Sequence, residues 1–225
     1  MTLLSGGLDC DAAGFVLAGG QSSRMGEEKA LVPFAGQPLI VRALGILSGA
    51  GLKVSIAGAR SALASFAPVV EDVAPRAGLG PLAGICSALA VTVETRAVFI
   101  PVDLPLLPSS LIAYLLHHAT ITDAIVTALS INGFAQTFPA VIHRSVLPIL
   151  QSQLESDHRG CFSAFQIAQA SLNQRFAVLP IEHLVQSGQI AHPEGLPAAL
   201  WFLNVNSKHD LTRAEALTAR RLPVS

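Results

Sequence analysis

The chain has 225 residues, 51% hydrophobic and only 13% charged, with a formal net charge of -1. That length buries a full core, and that composition excludes a disordered polymer. The near-zero charge excludes bulk attraction to nucleic acid or anionic membrane, so a polyanionic ligand needs a few placed cations. Mean hydropathy is high, yet the apolar windows 39–52 and 97–107 are interrupted by Arg42 and by Asp103 and Pro105, which excludes both as membrane spans.

Residues 1–12 lack the basic start and cleavage pattern of a secretion signal and read as a flexible N-terminal extension, with 13–225 as a single domain. Cys10, Cys86 and Cys161 are scattered thiols without a CxxC, which fits a reducing cytoplasm and neither a disulfide scaffold nor a zinc ribbon. His117 and His118 are neighbours and would point to different sides of a helix, a poor metal pair, so they read as surface or helix-end residues.

In chain order, residues 14–17 form a first strand, followed by a loop over 18–25. Pro38 sits at a helix start, with Leu39, Ile40, Ala43, Leu44 and Leu47 as its apolar face. Strands are expected at 53–57 and 69–70, then a loop over 71–80 and a helix over 81–91. The continuous apolar run 97–102 reads as a strand buried on both faces. A helix over 109–118 is expected to be capped by Ser109 or Ser110. Strands at 125–129 and 140–142, helices at 145–154 and 161–172, strands at 176–180 and 201–205 and a helix at 211–220 complete the chain. The Gly- and Pro-containing stretch 187–198 reads as a surface excursion. This alternation predicts an α/β fold of three Rossmann-like layers, a mostly parallel sheet with helices on both faces.

The stretch LAGGQSSRMGEEKAL, residues 17–31, carries the strongest chemical signal. A buried strand ends at Gly19 and Gly20, and a forked cation, Arg24, and a point cation, Lys29, follow in the same loop. Backbone N–H groups with such cations suit a triphosphate. The pattern is neither GxxxxGK[ST] nor GxGxxG. A second glycine-rich approach, GLGPLAGI at 78–85, enters a helix whose N-terminal dipole favours a nucleotide. FIPVDLPLLP at 99–108 sets Asp103 at the end of an apolar strand, where a carboxylate can hold Mg²⁺ against phosphate oxygens.

LAGG, SxRMG, Lys29, GPLAG and PVDLPLLP, in this order, resemble the molybdenum cofactor guanylyltransferases, within the wider sugar-phosphate-type nucleotidyltransferases. The likeness runs from about residue 14 to 217. FLNVNSKHDL resembles the family's NxNTPxDL segment. The resemblance implies transfer of GMP from GTP to molybdopterin or molybdenum cofactor, with release of pyrophosphate and Mg²⁺ as the metal. It implies that Leu17, Ala18, Gly19 and Gly20 line the base, that Arg24 and Lys29 hold the triphosphate, and that Asp103 binds Mg²⁺. Asp72 would contact the nucleotide or the acceptor, Gly80, Pro81, Leu82 and Gly84 would shape the nucleoside pocket, and Asn204 and Asn206 would meet the acceptor. Transient contact with other cofactor-biosynthesis proteins follows from the same likeness.

The chain departs from the family's pattern in three places. Ala57-Gly58-Ala59 stands where an Asn is frequent, Ser207-Lys208-His209 replaces a Thr-Pro-acidic run, and Gln136-Thr137-Phe138-Pro139 only loosely matches Gln-Pro-Leu. Alternatives are a cytidylyltransferase for the same cofactor, another nucleotidyltransferase with a small phosphorylated acceptor, and a non-catalytic nucleotide- or cofactor-binding accessory protein. Gly19, where related cytidylyltransferases carry alanine, favours GTP, because a missing methyl leaves room for a purine.

Overall fold

The two apolar strands read most directly from the sequence pair with each other. In the computed structural model, which describes residues 11–19, 28–58, 61–72 and 79–219, β1 (Ala12–Leu17) runs parallel to β6 (Arg96–Pro101) with Leu17 opposite Pro101. Side chains alternate between faces of a strand. Accordingly Val16, Val98 and Ile100 enter one core, and Phe15, Leu17, Ala97 and Phe99 enter the other. Phe15 and Phe99 lie opposite one another in the register and stack with centroids 5.4 Å apart. A strand that feeds two cores must be apolar at every position, which is why these runs lack alternation.

Between β1 and β6 in sequence lie the short antiparallel pair β2 (Pro33–Phe34) and β3 (Gln37–Pro38), and then β4 (Lys53–Ala57) and β5 (Val69–Val70). Following β6 come β7 (Val126–Ile131), β8 (Phe134–His143) and β9 (Phe176–Pro180). Among the described residues these build a seven-stranded sheet in the order β5-β4-β1-β6-β8-β7-β9. All its pairings are parallel except those of β8, which runs against both β6 and β7.

Helices cover both faces, in agreement with the three-layer expectation. One core takes α1 (Leu39–Gly49), α3 (Ser109–Thr122), α6 (Ile181–Gln186), α7 (Ala198–Trp201) and α8 (Lys208–Ala219). The other takes α2 (Pro81–Val91), α4 (Leu147–Glu155) and α5 (Cys161–Leu172). Cys86 and Cys161 are buried in this second core, where burial pushes the Cys161 thiol up to about 12. No described helix is long and apolar enough to cross a membrane.

Five local expectations need correction. The strand expected at 201–205 does not form. Pro197 starts the single turn α7, and the next segment is tied by Val205 N–H to the Asp103 carbonyl (3.0 Å), outside any sheet ladder. An apolar run of this length has no period that separates strand from buried turn. The helix α3 is preceded by Pro108 without a side-chain cap, because the Ser110 hydroxyl donates instead to the Ala191 carbonyl (3.2 Å). That helix also runs four residues further than expected, so His117 and His118 lie inside it, with His117 exposed and His118 stacked near Tyr114. The stretch 187–198 is not only a surface excursion, since Ile190 and His192 are buried. The short strand expected at 140–142 extends to Phe134, where a turn at Asn132 and Gly133, both with positive φ, closes a hairpin with β7. The expected N-terminal extension lies almost entirely outside the described residues.

Burial holds the His118, His143 and His192 imidazoles below the ordinary value of 6.5. The folded chain therefore binds fewer protons than the unfolded chain once the pH drops beneath 6.5, and stability falls from there through the folded values. Asp11, Glu94, Glu182 and Asp210 are held low mainly by hydrogen bonds from Thr95, Thr92, the Asn132 N–H and Ser207 respectively. Their contribution is present above their ordinary values, 3.8 for Asp and 4.5 for Glu, and is lost as the pH falls past them. Urea midpoints should be flat between pH 7 and pH 8, decline from pH 6.5 and drop more steeply below 4.5. A midpoint unchanged between pH 8 and pH 5 contradicts this assignment of the three histidines.

Candidate active site

The carboxyl ends of β5, β4, β1 and β6 lie side by side, and Leu17, Gly19, Asp72 and Asp103 lie at or just past the ends of these strands. Loops leaving adjacent parallel strands open a crevice there. Leu17 is buried at the end of β1, Ala18 N–H donates to the Ala57 carbonyl (3.1 Å), and Gly19 follows. A Cβ built on Gly19 would lie 2.4 Å from the Gly58 carbonyl oxygen, a backbone atom that cannot swing aside. Gly58 has φ +72°, and a Cβ on Gly84 in the first turn of α2 would come within 3.5 Å of its Cα. Gly19 and Gly58 thus let the ends of β1 and β4 close on one another, with Gly84 at the start of α2 in ordinary contact beside them.

Contact with the Gly58 backbone thus gives glycine at position 19 a packing reason that is independent of the nucleotide.

Entry into α2 uses Gly80 at φ +91° and Pro81 at the first helical position, a conformation open to glycine and a residue that needs no N–H partner. Leu82 and Gly84 are buried, whereas Pro81 is exposed. Asp72, just past β5, brings one carboxylate oxygen to 3.7 Å of the place a Gly58 Cβ would occupy, and the Ser87 hydroxyl lies 3.4 Å from its other oxygen. Gly20 and Arg24 lie outside the described residues.

On the β6 side three polar residues from distant parts of the chain converge. Lys29, opening a single 3₁₀ turn, donates to Asp103 Oδ2 (2.7 Å) and to Asn206 Oδ1 (2.5 Å). Lys29 and Asp103 retain 16% and 19% side-chain exposure, enough to admit a ligand yet little enough to strengthen the ion pair over a surface one. Asp103 Oδ1 is buried and has no hydrogen-bond partner among the described residues.

Asn206 is placed by a device that the sequence does signal, a Ser-x-x-Asp pair. Asp210 N–H donates to Ser207 Oγ (3.2 Å), while the Asp210 carboxylate accepts from Ser207 Oγ (2.8 Å) and Asn206 N–H (3.1 Å). The result is a capping box at the start of α8. Asn204 and Asn206 are both exposed and flank the fully buried Val205, so the expected alternation persists without the strand.

Mg²⁺ fits this chemistry on one observation. The buried oxygen Asp103 Oδ1 lacks a donor, and an anionic oxygen in that state is costly unless a proton donor or cation meets it. No cluster of three or more His, Cys, Asp or Glu occurs among the described residues. One protein carboxylate, with phosphate and water oxygens completing the shell, is the manner in which Mg²⁺ is commonly held.

A mostly parallel, doubly covered sheet with two glycine approaches and a lysine–aspartate pair at its carboxyl edge is the architecture of an α/β nucleotidyltransferase. The family model described as MobA-like NTP transferase domain matches residues 14–172, and the chain belongs to that family. A probable molybdenum cofactor guanylyltransferase of Bacillus licheniformis is 32% identical over 208 residues, 89% of this chain and 94% of the relative. A molybdenum cofactor guanylyltransferase of Xanthomonas euvesicatoria is 44% identical over 105 residues, 46% of this chain and about half (52%) of that relative. The crystal structure of a molybdopterin-guanine dinucleotide biosynthesis protein A from Archaeoglobus fulgidus superposes with TM-score 0.73 at 20% identity, covering 92% of this chain and 98% of that one, a likeness of fold.

Gly19→Ala tests the packing argument directly. Overpacking against a fixed backbone costs about 1–3 kcal/mol, so the variant should show a lower urea midpoint than the parent. The GTP-to-CTP preference should stay unchanged. A variant of parental stability with a shifted nucleotide preference would restore the size-selection account.

Proposed function

We propose that the chain transfers GMP from GTP to molybdopterin or molybdenum cofactor and releases pyrophosphate. The observation that carries this reading is the convergence of Lys29, Asp103 and Asn206 at the carboxyl ends of β1 and β6, in a chain of the MobA-like family. The names borne by the full-length relatives support guanylyl transfer over cytidylyl transfer.

In the proposed reaction an acceptor phosphate oxygen forms a bond to the α-phosphorus of GTP. The bond from that phosphorus to the bridging oxygen breaks, and pyrophosphate leaves with the electron pair. A phosphate monoester is already anionic near neutral pH, so the chain need not supply a serine or cysteine nucleophile. Its task is to bring two polyanions together and to stabilise the charge that develops on the leaving group.

The glycine cluster of residues 19, 58 and 84, with Asp72 beside it, is assigned to the nucleoside, as are Leu17, Ala18, Gly20, Gly80, Pro81 and Leu82. Lys29 and Arg24 are assigned to the triphosphate. Asp103 would hold Mg²⁺, and Mg²⁺ when bound neutralises charge on the phosphate oxygens. Lys29 holds the Asp103 carboxylate in place through its ion pair and stands ready to follow charge onto the departing pyrophosphate. Asn204 and Asn206 are assigned to the acceptor side. The link from Lys29 to Asn206 joins the donor and acceptor halves through one hydrogen bond.

Lys29→Ala should raise the barrier by about 2–4 kcal/mol, the cost of a charge-assisted contact made mainly in the transition state. Pyrophosphate release within threefold of the parental rate would remove Lys29 from the mechanism. Asp103→Asn keeps the shape but gives up a hard anionic oxygen. Its activity should fall steeply and recover only in part at high Mg²⁺ or Mn²⁺, and an unaltered magnesium dependence would exclude Asp103 as the ligand. Competition between GTP and CTP with the same acceptor decides the nucleotide, and a CTP preference would leave nucleotidyl transfer standing while removing its guanylyl form.

A further inference from the structure

The loop that follows β6 is buried where loops are ordinarily exposed. Leu104, Leu106 and Leu107 are each at most 4% exposed, and Pro105 between them is buried too. A buried loop outside a ladder must find partners for its backbone carbonyls elsewhere. Here they come from three distant parts of the chain. Asp103 O accepts from Val205 N–H (3.0 Å), Pro105 O from Arg42 Nε in α1 (2.9 Å), and Leu106 O from His192 Nε2 (3.1 Å).

The His192 ring is itself fixed. Its Nδ1 accepts from Glu194 N–H (3.1 Å), so the ring proton sits on Nε2 and points at the Leu106 carbonyl. Trp201 covers the ring at a centroid distance of 5.7 Å, and the Trp201 indole N–H closes the segment onto the Leu196 carbonyl (2.8 Å). The Ser110 hydroxyl holds the same segment through the Ala191 carbonyl. Arg42 and Glu194 are the charged groups facing His192, and they approach each other to 4.0 Å. Two side chains remote in sequence thus support two successive carbonyls of the loop, within three residues of Asp103.

We infer that Arg42 and His192 are positioning residues: they hold the 103–107 loop from behind and so set the Asp103 carboxylate against Lys29 and Asn206. The inference rests on the assignment of Asp103 to the metal and triphosphate. Without these donors the two carbonyls lose their partners, the loop gains freedom, and the carboxylate no longer meets the cation at one place. Loss of such a supporting hydrogen bond behind a ligand weakens metal affinity or activity by about 10–100-fold.

The test uses the full chain with His192→Leu, His192→Gln, Arg42→Met and Asp103→Asn. Calorimetric titration with a non-hydrolysable GTP analogue, with Mg²⁺ and with EDTA, gives the magnesium-dependent gain in affinity, and pyrophosphate release gives the Mg²⁺ concentration at half-maximal rate. His192→Leu and Arg42→Met should lose about tenfold or more of the magnesium-dependent gain and raise the half-maximal Mg²⁺ concentration, with EDTA binding unaltered. His192→Gln, whose amide can still donate to Leu106 O, should recover most of the loss. If His192→Leu does not fold, the partly exposed Arg42 decides the matter through Arg42→Met. Variants that are less stable but keep the parental magnesium dependence would reduce Arg42 and His192 to structural residues and overturn the inference. Parental magnesium dependence in Asp103→Asn would instead overturn the assignment on which it rests.

Discussion

The parallel pairing of β1 with β6 is the constraint from which the site follows. Leu17 faces Pro101 at the end of the register, and Val102 N–H continues the ladder to the Leu17 carbonyl at 3.2 Å. Both chains therefore leave the sheet at the same level and in the same direction. One departs as the glycine turn of residues 18–19 and the other as the loop carrying Asp103. Every residue of β1 and the middle four of β6 are buried, so a one-residue slip would invert which side chains meet which core. The two cores hold the register, and the register sets the glycine turn beside the carboxylate.

Close backbone approach then divides the edge into two parts with different chemistry. On the β4 side, Gly19 and Gly58 leave peptide groups close together near the start of α2. Such a surface suits a flat base and a ribose, which are recognised by shape and by backbone donors and acceptors. On the β6 side Lys29 joins Asp103 to Asn206, an arrangement suited to phosphate charge.

Support for the charged half comes from elements that share no sequence neighbourhood. The last helix contributes through its capping box, in which Asp210 fixes the Asn206 N–H. The 187–198 segment and α1 contribute His192 and Arg42 to the carbonyls behind Asp103. The segment beyond the family match, which ends at residue 172, is therefore bound into the arrangement of the acidic loop.

Much was legible in the sequence alone. The three-layer α/β class, the pairing-competent runs at β1 and β6, the helix α2 entered through Gly80 and Pro81, and the candidate role of Asp103 all follow from local pattern, because buried strands and helix entries leave short-range signatures. Tertiary structure alone decided the rest. It turned the expected strand at 201–205 into a single turn and a strap on the Asp103 carbonyl, drew the expected surface stretch at 187–198 into the core through Ile190 and His192, and set Gly19 against the Gly58 backbone. It also joined Lys29 to Asn206 across 177 positions. No local pattern encodes such contacts, since a hydrogen bond between distant residues is set by where the sheet places them and not by the neighbours of either one.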